Sequence, residues 1–171
     1  VIEYLDFRQM DELQNRALSR RLRTPAAALD RDALLAGADR LRQALAALTA
    51  LPAQTTEPLG LAAFDRYLLL AIEAIAEIAT LICAGLRLSQ PETYAEALRP
   101  LTKRGLIDVD TAQAIEPVLA RRDDLLRAPD RLDRAALSEY LTAARPALAE
   151  FAAAISRLVE HPPELTTPAD H

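Results

Sequence analysis

The chain is poor in the residues that build most small-molecule and metal chemistry. It has one cysteine, Cys83, two histidines, His161 and His171, four glycines and no tryptophan. A single cysteine excludes an internal disulfide and fits a reducing compartment, so the protein is expected in the cytoplasm. Cys83 lies in an apolar stretch and reads as core filler. With one thiol and two imidazoles far from it, near or in the C-terminal tail, a zinc site is not expected, nor is any other metal or cofactor. The four glycines form no phosphate-cradling loop. No signal peptide is evident, and no apolar run of membrane-spanning length is free of charge, because Glu73 and Glu77 interrupt the best candidate. No membrane association is therefore expected. A net charge of -5 argues against a broad nucleic-acid footprint but leaves room for a local basic patch.

What the sequence does have is Ala, Leu, Glu and Arg, with 51% hydrophobic and 26% charged residues over 171 positions. That is the composition of a helical globular domain with ample material for a core. No strand-like alternation appears. The expected fold is all-α, an up-and-down bundle of about five helices over residues 24–160, with an N-terminal helical arm over residues 1–23 and a disordered tail over 161–171.

The arm carries a stripe of Leu5, Met10, Leu13, Leu18 and Leu22 and ends in the basic run Arg20, Arg21 and Arg23. Thr24-Pro25 can restart the chain as cap and first helical residue, with Asp30 an alternative start, and the helix runs to Leu51 before Pro52. Residues 52–58 form a loop. The next helix, from about Leu59 to Ala84, is apolar nearly all round, apart from a narrow stripe of Arg66, Glu73, Glu77 and Thr80. Such a helix belongs at the centre of a bundle or in a dimer interface. Glu73 and Glu77 are then either carboxylates lining a cleft or a thin solvent-facing seam. Gly85 is a natural cap, and a further helix should start at Ser89–Glu92 and end at Lys103-Arg104-Gly105-Leu106. Asp108 can cap a fourth helix, kinked at Pro117 and ended by Pro129. Asp133 can cap the last, from Arg134 to about Glu160, with a kink at Pro146.

The densest chemistry is Ala120 to Asp133, ARRDDLLRAPDRLD, where Arg121, Arg122, Arg127 and Arg131 alternate with Asp123, Asp124, Asp130 and Asp133. One reading is a solvated helix end neutralised by local pairs, Asp123 with Arg127 and Asp130 with Arg134. Each such pair contributes only about 0.3–0.5 kcal/mol. The other is that Arg122 and Arg127 face one groove and hold phosphate, which a planar guanidinium does well. General acid–base work usually calls on a histidine, and none lies nearby.

From about Asp30 to Val159 the chain resembles the HepT-like branch of the HEPN superfamily. The likeness is carried in order by FDRYLLLAIEAIAEIATLICAGL (Phe64 to Leu86), PETYAEALRPLTKRGLID (Pro91 to Asp108) and ARRDDLLRAPDRLD. The resemblance implies a helical bundle that forms a homodimer with a composite site at the interface. It also implies a toxin of a toxin–antitoxin module, acting on single-stranded RNA as a metal-independent ribonuclease, with a minimal nucleotidyltransferase antitoxin as partner. In the family motif an Arg and a polar residue are followed, after a gap, by His and then often Tyr, the residue the antitoxin modifies. Placed on this sequence, Arg122 and Asp123 fall on the first two positions, Arg127 on the His and Pro129 on the Tyr. Glu73 and Glu77 fall on the helix that lines the cleft, Glu77 at a commonly acidic position. The resemblance thus implies a degenerate motif, with RNA cleavage reduced or lost; the alternative is a non-enzymatic dimeric module that binds RNA or protein. Residues 1–23 either extend the bundle or, by likeness to the antitoxins' C-terminal helix, represent a partner remnant docked in cis.

Overall fold

The computed structural model describes residues 29–51 and 57–163. The arm over residues 1–23, the Thr24-Pro25 start, most of the 52–58 loop and the tail beyond Pro163 lie outside the described residues. Those described form five helical units and no strand, so the all-α expectation holds. The units are α1 (Arg31–Ala50), α2 (Pro58–Gly85), α3 (Arg99–Lys103), a fourth broken into α4 (Val109–Leu119) and α5 (Arg122–Arg127), and α6 (Arg134–Glu160). A single 3-10 turn, Pro129–Arg131, joins α5 to α6. Helix α1 packs on α2 and α6, α6 on α4, α4 on α3 and α3 on α2, which closes a ring around one core, and α5 lies against α2.

Three aspartates set the helix starts. Asp30, Asp108 and Asp133 each accept the backbone N–H three residues on, from Ala33 at 3.0 Å, Thr111 at 2.7 Å and Ala136 at 3.0 Å. These are N-caps that satisfy otherwise orphaned donors. Two helices end in Schellman turns. At α3, Gly105 takes φ +73°, with Leu106 N–H bonded to Leu101 O and Gly105 N–H to Thr102 O, as the glycine suggested. At α2 the left-handed residue is Arg87, with φ +55°, and not Gly85, which remains helical. Gly85 is needed for close packing instead. A Cβ there would lie 2.9 Å from Leu29 Cδ2, so its absence lets the chain before α1 close on the end of α2.

The helix expected from Ser89–Glu92 is a series of tight turns that becomes α-helical only at Arg99. Its bonds run three residues back, Ala97 N–H to Tyr94 O and Arg99 N–H to Glu96 O. Pro100 explains this: it has no N–H for the Glu96 carbonyl, and its ring crowds that carbonyl in an α-helix. Ala97, Leu98 and Leu101 are buried against the core all the same, and Tyr94 is half-buried.

Helix α2 is long and apolar enough to cross a membrane by length and composition, and just over half of its most apolar window is buried inside the bundle. Leu68, Ile72, Ile75, Ile78 and Ile82 are fully buried. Cys83 is buried too, as expected, and burial pushes its thiol pKa up. The stripe of Arg66, Glu73, Glu77 and Thr80 faces outward.

Candidate functional site

The charged stretch begins where the helix that carries Pro117 ends, at Leu119. Arg121 N–H bonds to Val118 O at 3.1 Å, a 3-10 step, and Leu125 N–H to Arg121 O opens a new helix. The expected single helix is therefore two, interrupted at Ala120–Arg121. Pro146, by contrast, lies inside a helix that runs without interruption. The break leaves the neighbouring residues Arg121 and Arg122 serving two different surfaces.

Arg122 turns towards α2. Its guanidinium carbon sits 4.1 Å from the centre of the Tyr94 ring, and one terminal nitrogen is 3.9 Å from a Glu73 carboxylate oxygen. Among the described residues its side chain makes one long hydrogen bond, 3.5 Å to Asp123, and its Nε is buried without a partner. Stacking a cation on an aromatic face is worth about 0.5–2 kcal/mol and uses none of the five N–H donors. The stack thus holds the side chain in place, while its two terminal nitrogens make only long contacts to Asp123 and Glu73, weak enough for a phosphate oxygen or another anion to compete with.

Tyr94 and Glu73 also line a groove of about 440 Å³, together with Glu77 and Thr80 of α2 and Pro91 and Glu92 of the following segment. Glu73 and Glu77 are therefore groove residues. Glu77 is paired with Arg40 of α1 at 2.5 Å, which offsets its charge.

Arg127 is exposed at the end of α5. Its side chain makes no hydrogen bond or ion pair among the described residues and lines neither groove flanking the stretch. It does not join Arg122 over the Glu73 groove. Neither expected local pair forms. Asp123 is beside Arg122, and Arg134 is bound by Asp65 of α2 through two hydrogen bonds of 3.1 and 2.6 Å. An exposed pair four residues apart gains too little to compete with water, whereas a two-pronged pair at a helix junction holds its geometry. The Asp65 bond raises the Arg134 pKa above its usual value. Residues 122 to 134 are in this way fastened to α2 at both ends. Pro129 opens the 3-10 turn that separates the two fastenings.

On the other side, Arg121, paired with Asp124 at 3.2 Å, and Arg131 line a second pocket, of about 420 Å³, against Tyr140 of α6. Sequence reasoning does not single out Tyr94, Tyr140 or Asp65 as site residues. The one available signal is the tyrosine in the PETY segment. Among the described residues no group of three or more His, Cys, Asp or Glu side chains can hold a metal ion.

None of the curated proteins matches the chain. Its fold is similar to that of YutE from Bacillus subtilis, a cytosolic protein of unknown function, with a TM-score of 0.70 and 22% identity over 79% of this chain and 95% of that one. At that identity the likeness concerns the fold alone. The model of the ribonuclease HepT-like family matches residues 34–155, which include α2, the Tyr94 segment and the whole charged stretch. The chain belongs to the ribonuclease HepT-like family.

Proposed function

We propose that the protein is the toxin-type component of a toxin–antitoxin module, a cytoplasmic homodimer that engages single-stranded RNA through Arg122 and has reduced or lost cleavage by the usual family route. The observation that carries the reading is Arg122 itself, stacked on Tyr94 and held by its carboxylate neighbours Asp123 and Glu73 only at 3.5 and 3.9 Å. Family membership supports the RNA ligand and the ribonuclease ancestry. Loss of turnover is supported by the residues available for proton transfer. Arg127 stands where the motif would have its histidine, and a guanidinium stays protonated at ordinary pH, so it cannot take a proton as a general base. His161 caps the far end of α6. Arginines can still neutralise phosphate and stabilise developing charge.

Pairing is supported by the outward face of α2, where Leu59 and Tyr67 are exposed along the same helix as Glu73 and Glu77. A second copy covering that face would make the groove composite. A minimal nucleotidyltransferase is the proposed partner, though Pro129 offers no hydroxyl for modification. The missing imidazole also favours a second reading, a dimeric module that binds RNA without any cleavage.

The test is incubation of the purified protein with single-stranded RNA in EDTA, with cleavage and binding measured together. Binding with little or no cleavage is expected, with Arg122→Ala weakening affinity by about 5- to 100-fold. Cleavage that disappears in Arg122→Ala or Arg127→Ala would show that the chemistry survives. Light scattering of the same sample checks the dimer.

A further inference from the structure

The pocket on the far side of the charged stretch is not accounted for by the Arg122 groove. It lies between α5, the 3-10 turn and the first turns of α6, and its volume of about 420 Å³ falls within the range of small-ligand sites. Its apolar lining includes Leu132 and the buried Leu137. Tyr140, a large aromatic residue left 45% exposed, also lines it. Two arginines, Arg121 and Arg131, complete the lining used below.

The two arginines and two aspartates of the lining balance formally, but the charges are unevenly placed. Arg121 and Asp124 offset one another at 3.2 Å. The Asp133 carboxylate accepts the Ala136 N–H and stands at the positive end of the 27-residue α6, so its charge is partly compensated there. The Arg131 side chain makes no ion pair or hydrogen bond among the described residues. A concave site with one guanidinium outside any ion pair, an exposed aromatic residue and an apolar part to its lining suits a ligand that is flat and apolar at one end and anionic at the other. Base stacking on an aromatic side chain combined with arginine at the phosphate is the general way single-stranded nucleic acid is held.

We propose that this pocket is a nucleotide subsite, with the base stacked on Tyr140 over Leu132 and Leu137 and the phosphate held by Arg131 and Arg121. The break at Ala120–Arg121 gives it its place in the molecule. Arg121 and Arg122 are adjacent, and one lines this pocket while the other stands over Tyr94 beside the Glu73 groove. A strand crossing the start of α5 passes from one to the other. The subsite therefore rests on the RNA-binding reading above and extends it: it binds a base where Arg122 binds only backbone. The same chemistry is found in a free nucleoside monophosphate, so the test has an arm for each source.

Fluorescence anisotropy with a labelled single-stranded RNA oligonucleotide, about 12 nucleotides long to span both grooves, is measured at several salt concentrations for the full chain, Arg122→Ala, Arg131→Gln, Tyr140→Ala and Tyr140→Phe, with uridine monophosphate titrated separately. The expected result is about tenfold weaker RNA binding in Tyr140→Ala and in Arg131→Gln, near-normal binding in Tyr140→Phe, and a salt slope about one unit shallower in Arg131→Gln. Tyr140 is exposed enough for its truncation to leave the melting temperature nearly unchanged, which separates a binding loss from misfolding. RNA binding that depends on Arg122 but is indifferent to Tyr140 and Arg131 overturns the subsite and leaves the RNA-binding reading intact. No RNA binding, with uridine monophosphate bound in the wild type and lost in Tyr140→Ala, sustains the subsite for free nucleotide and overturns the RNA reading. No binding of either ligand overturns both.

Discussion

Removing the Asp65 carboxylate tests how the site is held. The Asp65–Arg134 pair joins the middle of the bundle to the end of the charged stretch, with side-chain exposures of 17% and 25% and two hydrogen bonds of 3.1 and 2.6 Å. The control is the Asp39–Arg42 pair on α1, where both partners are about half exposed or more. Exposed pairs contribute about 0–1 kcal/mol, and breaking a fully buried pair costs about 3–5 kcal/mol because a charge is left without its partner. Asp65–Arg134 lies between these limits, so Asp65→Ala should cost about 2–3 kcal/mol. For a domain of this size that is a fall in melting temperature of about 4–12 °C. Asp39→Ala should stay within about 0.5 kcal/mol. The double variant Asp65→Leu/Arg134→Met, which removes both charges and supplies apolar bulk, should recover most of the loss. Urea melts followed by circular dichroism compare the wild type with these three variants, and RNA affinity is measured well below the lowest melting temperature. Asp65→Ala should weaken RNA binding as well, because one of the two fastenings of residues 122 to 134 is gone. Equal costs for Asp65→Ala and Asp39→Ala, or no recovery in the double variant, would refute this account of the pair.

Three other perturbations read separate parts of the molecule. Gly37→Ala would place a Cβ 2.8 Å from Ile78 Cγ1, a fully buried side chain. The substitution should destabilise the wild type by about 1 kcal/mol despite the gain in helix propensity, and should stabilise the Ile78→Ala background, where the space is free; the same sign in both backgrounds would contradict this packing. The Asp108 carboxylate accepts the Thr111 hydroxyl at 2.7 Å and the Thr111 N–H at 2.7 Å, and these bonds, the hydroxyl first, hold its pKa below the usual 3.8. A pKa lowered by folding means stability present above the unfolded value and lost as pH falls through the folded one. The stability gap between wild type and Asp108→Ala should accordingly be constant from neutral pH down to about 4 and shrink below it, and a gap that widens in acid would count against the cap. Tyr94→Ala removes the surface on which Arg122 rests. RNA affinity should drop by about three- to tenfold with a small change in melting temperature, and an unchanged affinity would mean that the stack does not position Arg122.

Much of the fold is legible in the sequence because it depends on local chemistry. The caps at Asp30, Asp108 and Asp133, the Gly105 turn and the buried faces around Ile75, Leu101 and Phe151 follow from residue type and helical spacing alone. The segment before Arg99 departs from the helical expectation because the missing N–H of Pro100 governs the turn that precedes it. Gly85 departs from its expected role because a glycine required for contact and a glycine required for a cap look alike in one dimension.

The candidate site divides in the same way. From sequence alone come the density of arginines in Ala120–Asp133, the position of Arg122 within it and the absence of a histidine nearby. Which arginine does what is decided by tertiary structure. Arg122 is singled out by Tyr94, far upstream in the chain, and Arg134 by an aspartate 69 positions away. Arg127, which the family resemblance puts on a motif position, reaches neither groove. The physical reason is that capping and turn formation are settled within about three or four residues along the chain. The state of a long charged side chain depends on which carboxylate or ring the fold brings to it.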